Sequence, residues 1–112
     1  MAKCDQGYLC EVCQQPVQGI IKSSLYLRFI IGEVEAAELL STPERHLTCD
    51  PLLTQYIVDP GFPPVTCEGF FDKHQLDATF VKDREALVTA GWQRLKKVVA
   101  ESIPIPEYPL QK

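Results

Sequence analysis

The chain has 112 residues, 46% of them hydrophobic and 23% charged. That balance supports one folded domain with a single core and excludes a disordered chain. The net charge of −4 disfavours a broad basic surface for nucleic acid. No run of about 18 apolar residues occurs, so no membrane-spanning helix and no membrane partner is expected. Residues 1–8 lack the apolar stretch of a secretory signal, which makes the cytoplasm the expected location. Five cysteines stand beside two histidines. An odd count leaves a thiol over in any pure disulfide plan, and in a reducing compartment clustered cysteines point to metal or redox chemistry.

In chain order, residues 1–20 carry Cys4, Cys10 and Cys13 among Gly7, Pro16 and Gly19, a composition of turns. Over residues 24–34, Leu25, Leu27, Phe29 and Ile31 alternate with Tyr26, Arg28 and Ile30. The aromatic and β-branched content favours a strand, with a helix as the competing reading. Gly32 breaks this run, and Ser41-Thr42-Pro43 ends a helical turn or two after Glu35. Asp50 and Pro51 have the chemistry of an N-cap and a first helical residue, and Leu52, Leu53, Tyr56 and Ile57 follow as an apolar stripe up to Asp59-Pro60-Gly61. Residues 60–69, with Pro63-Pro64, read as extended. The longest helix is expected over 72–101, started by Asp72 with Gln75 as a capping box or by Asp77. Phe80, Leu87, Val88, Trp92, Leu95, Val98 and Val99 lie on its core side. The alternating prolines of 102–112 favour an extended tail, either packed on the domain or offered to a partner groove.

The sharpest pattern is Cys10-x2-Cys13 followed later by His46-x2-Cys49. A two-residue spacer lets both side chains of a pair face one ion, and two such pairs supply four tetrahedral ligands. Three thiolates and one imidazole suit Zn2+ and leave no open position for water, which makes the ion structural rather than catalytic. Cys4 is the reserve ligand and could replace His46 in a four-cysteine site. Cys67 reads as a core thiol, and His74 as a surface or capping residue. Cys10 and Cys13 alone could form a redox pair, but Pro16 and Gly19 follow them where a thioredoxin-like site needs a helix.

The knuckle at Cys13-Gln14-Gln15-Pro16, the strand region and a ligand pair at a helix start together resemble the treble-clef class of zinc modules over Tyr8–Val58. The stretches Met1–Cys13, Pro43–Pro51 and Gln55–Pro60 are similar to those of a group of short, uncharacterised bacterial proteins. That resemblance implies no activity and adds a bacterial cytosolic setting.

The expected fold is therefore α+β: one domain over 1–112, with a small treble-clef-like zinc module over about 4–58, a long amphipathic helix over 72–101 and an extended proline-rich tail over 102–112. No enzyme is expected. G-x-S-x-G and glycine-rich phosphate loops are missing, Glu33, Glu35 and Glu38 read as a solvated face, and Arg45 reads as the partner of a nearby carboxylate. The leading function is a zinc-stabilised module that binds protein. The alternatives are a zinc-finger regulator touching nucleic acid through Lys82, Arg84, Arg94, Lys96 and Lys97, and a thiol redox protein using Cys10 and Cys13.

Overall fold

A computed structural model describes residues 9–17, 19–63, 65–67 and 69–110. Run 24–34 does not form a strand. It forms helix α1, Ser24–Ile30, started by Ser23, whose hydroxyl accepts the Tyr26 amide at 3.1 Å. Its failure to follow the alternating pattern has a simple cause. Leu25, Tyr26, Leu27, Phe29 and Ile30 are all buried, so the run is covered on nearly every side and its apolar pattern carries no period. The second helix is also shorter than the sequence implied. Helix α2 is only Pro51–Thr54: it starts at Pro51 as expected, although the Asp50 side chain makes no cap bond, but it ends at Gln55, well before Asp59.

The longest helix, α3, spans Ala78–Ala100. Asp77 starts it by accepting the Phe80 amide at 3.0 Å, whereas Asp72 caps a separate 3-10 turn, Lys73–Gln75. Val88, Trp92, Leu95 and Val98 are buried as their spacing predicts. Phe80, Leu87 and Val99 remain partly exposed, which narrows the expected stripe.

The α+β expectation is overturned. The protein is mostly helical, with no sheet and no treble-clef module among the described residues. The β geometry there consists of isolated bridges: Leu9 with Pro16, Cys10 with Glu44, and Ser23 with His46. Two causes act together. The segment expected as a strand is α1, and Pro16, which has no amide proton, cannot extend a ladder.

The core forms where α1 crosses α3, and Leu39, Leu47, Leu53, Tyr56 and Ile57 complete it. Gly91 makes the crossing possible. A Cβ there would overlap Ile31 Cγ2 and sit 3.0 Å from Leu27 Cδ1. The Ile31 methyl is branched at Cβ and cannot swing away cheaply. Gly91→Ala is therefore expected to destabilise the fold by about 1–2 kcal/mol despite alanine's better helix propensity, read as a lower midpoint in urea at unchanged m-value.

The tail is not simply extended. Ile105–Glu107 form a 3-10 turn, Tyr108 is buried, and the Leu110 amide donates to the Ile30 carbonyl at 3.0 Å. Tyr108 packs its ring against those of Tyr26 and Phe29, and Arg94 donates to the carbonyls of Glu107 and Tyr108. Tyr108 and Leu110 thus pack against the core at α1, whereas Ile105 stays 40% exposed.

Candidate metal centre

The site is built from two backbone turns held side by side. In the first, the Cys10 amide donates to the Gln15 carbonyl (2.8 Å) and the Cys10 carbonyl accepts the Gln14 amide (2.9 Å). Gln14 takes a left-handed conformation, φ 66°, which turns the chain back after Cys13. In the second turn, His46 is extended and Leu47–Cys49 make one 3-10 turn, closed by the Cys49 amide donating to the His46 carbonyl at 3.0 Å. The Glu11 amide donates to the Glu44 carbonyl (2.9 Å), and the Ser24 amide to the Arg45 carbonyl (2.9 Å). These bonds fix the second turn to the first and to the start of α1.

The result brings together all four leading sequence candidates. The ligand atoms of Cys10, Cys13, His46 and Cys49 lie within 4.8 Å of one another. Cys13 Sγ is 3.3 Å and Cys49 Sγ 3.8 Å from His46 Nδ1. A tetrahedral zinc with ordinary Zn–S and Zn–N bonds would separate its ligands by roughly 3.5–3.8 Å, so the cluster has the size such an ion needs. His46 Nε2 lies 2.9 Å from the Pro16 carbonyl, an acceptor only. That bond places the proton on Nε2 and leaves the Nδ1 lone pair facing the sulfurs, the arrangement a ligating imidazole requires. These four side chains could hold a metal ion.

Burial is uneven: Cys10 is fully buried, Cys49 and His46 are half-buried and Cys13 is exposed. In the metal-free cluster, burial pushes the Cys10 thiol up. Backbone donors from Cys13, His46 and Val12, with the Cys13 thiol, outweigh it and bring Cys10 down to about 6. Cys49 is pushed up to about 11, first by burial and then by the neighbouring sulfurs of Cys10 and Cys13. Sulfurs this close repel one another as thiolates, and a cation between them removes that conflict.

The remaining candidates separate cleanly. Cys67 is buried and not part of the cluster. His74 is exposed, its ring nitrogen 2.9 Å from Asp72. Cys4 lies outside the described residues. Of the basic residues on α3, Arg84 pairs with Glu33 and sits over the Tyr56 ring, Arg94 holds the tail, and Lys96 lies 4.0 Å over Trp92.

Sequence reasoning missed the role of Asp50. Its side chain is 1% exposed and accepts from Ser24 Oγ, from Arg28 Nη2 (2.9 Å) and Nε (3.3 Å), and from Arg45 Nη1 (3.5 Å). Arg45 also pairs with Glu11 in the first turn. One buried carboxylate thus joins α1 to both sides of the His46–Cys49 turn. The available signal was the pair of arginines, one beside His46 and one in an otherwise apolar run.

No helix among the described residues is long and apolar enough to cross a membrane. No protein-family model matches the sequence, and searches of curated proteins and of solved structures found no match. The functional reading therefore rests on the cluster itself.

Proposed function

We propose that Cys10, Cys13, His46 and Cys49 hold one structural zinc ion, and that the part of the chain it organises is a non-enzymatic module for binding protein. The observation that carries the first half is the convergence of four ligand atoms from two separate turns within 4.8 Å. Three thiolates and an imidazole complete a tetrahedron with no position left for a substrate. Support for the second half comes from the surface beside the site. Leu9 and Val12 flank Cys10 and are 57% and 54% exposed, and Leu52, three residues after Cys49, is 45% exposed. Exposed apolar groups gathered beside the cluster suit a protein contact. The reading also asks for a reducing compartment, which fits a cytoplasmic and bacterial setting.

The test begins with metal analysis of protein purified without added metal. About one zinc per chain is expected, and fresh wild type without metal would sink the reading. Val12→Asp should then keep the zinc while losing a partner that the wild type retains from cell extract. Steep salt-dependent binding to DNA or RNA would instead support the zinc-finger alternative. Turnover coupled to a reversible Cys10–Cys13 disulfide in metal-free protein would support the redox one.

Acid should weaken zinc binding. With Cys49 protonated up to about pH 11 in the metal-free cluster, the ion must displace at least that proton at any neutral pH. Affinity then rises by about tenfold per pH unit for each proton released. Competition with a chromogenic chelator between pH 6.5 and 8 measures the slope, and a flat profile would show that Cys49 is not a ligand.

A further inference from the structure

Beside His46 the chain leaves an open groove of about 610 Å³, lined on one side by Gln15 and Pro16 after the cysteine turn and on another by Trp92 of α3. We propose that this groove is a binding site for a small amphipathic carboxylate, a compound with an aromatic or aliphatic body and one acidic end. Its volume falls in the range of small-molecule sites. The walls are apolar. Phe62 meets Trp92 edge-on at 5.2 Å, and Ile21 and Leu47 lie in the same lining.

The polar groups decide what the other end of the ligand must be. Lys22 is exposed, lines the groove and forms no ion pair among the described residues. Gln15 and Thr48, also exposed, add an amide and a hydroxyl that can donate. No Asp or Glu is among the described lining residues. Lys96 Nζ lies 4.0 Å over the ring of Trp92, one of the lining residues, and adds to the positive charge on that side. The groove therefore carries a positive charge on a chain of net charge −4. Among the described lining residues the formal charge is that of Lys22, so an anion finds a counter-charge with donors beside it. The His46 Nε2 proton is taken by Pro16, so that ring offers the ligand only its face.

One wall of the groove is made by the two turns that carry the cluster, so this inference rests on the zinc reading; the groove is tested on the full chain as purified, and metal content measured alongside separates loss of the ion from failure of the groove. The anionic probe is 1-anilinonaphthalene-8-sulfonate and its neutral counterpart is N-phenyl-1-naphthylamine. One saturable site per chain is expected for each, and 2-naphthoate should displace the anionic probe. Lys22→Glu should weaken the anionic probe by about tenfold and leave the neutral one within about twofold, since only the Coulomb contribution changes. Gln15→Trp, at an exposed position on the rim, should block both probes with an unchanged circular dichroism spectrum. Absence of saturable binding, equal affinity of the anionic probe for wild type and Lys22→Glu, or intact binding to Gln15→Trp would each overturn the proposal.

Discussion

On the structural-zinc proposal, Cys13→Ser and His46→Ala are each expected to lose the ion and, with it, the fold around the two turns. Structural zinc contributes about 10–16 kcal/mol in small zinc peptides, whereas a whole domain is stable by only about 5–15 kcal/mol. Apart from the Asp50 and Arg45–Glu11 ion pairs, the turns have few cross-links to hold them. Their backbone pairing consists of isolated bridges, and the residues between Cys10 and Cys13 are exposed. A drop in the melting midpoint on the order of 20 °C is expected for either variant, and a chelator should do the same to the wild type. Metal content by mass spectrometry and thermal unfolding by circular dichroism read both effects. Full zinc occupancy after His46→Ala would remove His46 from the ligand set and bring Cys4 in. A midpoint unmoved by complete metal removal would show that the ion is not structural.

The second large effect is expected at Asp50. Asp50→Ala removes a buried carboxylate on which the Ser24 hydroxyl and two guanidinium groups converge; Arg28 keeps Glu33 and Arg45 keeps Glu11, but the hydroxyl loses its acceptor. Breaking a buried charged cluster from one side costs about 3–5 kcal/mol. Arg28 and Arg45 are 29% and 38% exposed and can turn to water, which places the expected loss near the lower bound, about 3 kcal/mol. Asp50→Asn should lose less, because the amide oxygen can still accept one of these bonds. The distinctive readout is zinc affinity. Because Asp50 ties α1 to the turn that presents His46 and Cys49, Asp50→Ala should weaken zinc binding in the folded protein, measured by chelator competition below the unfolding midpoint. Destabilisation with unchanged zinc affinity would reduce Asp50 to a purely structural role.

The metal cluster was legible in the sequence because its information is local. A two-residue spacer between ligands constrains one turn, and Cys10-x2-Cys13 and His46-x2-Cys49 each state that constraint in four residues. The long helix was legible for a related reason. Val88, Trp92, Leu95 and Val98 repeat at steps of three and four, and Asp77 offers a cap at its start. Residues 24–34 were not legible as a helix. Their apolar content is almost continuous, and period 2 and period 3.6 are equally compatible with a segment buried all round. The treble-clef likeness failed at the same point, since it needed that run as a strand.

Asp50 shows the other limit. Followed by Pro51 at a helix start it reads as a capping residue, and nothing within the segment shows that Ser24, Arg28 and Arg45 reach it first. By itself, the sequence determined which side chains could share an ion, because ligand spacing is a property of adjacent residues. Only the tertiary structure decided that α1 would be a helix, that Gly91 would let it cross α3, and that Asp50 would join it to the His46–Cys49 turn. Those outcomes depend on which surfaces are buried against each other, and burial is decided by contacts between segments far apart in the chain.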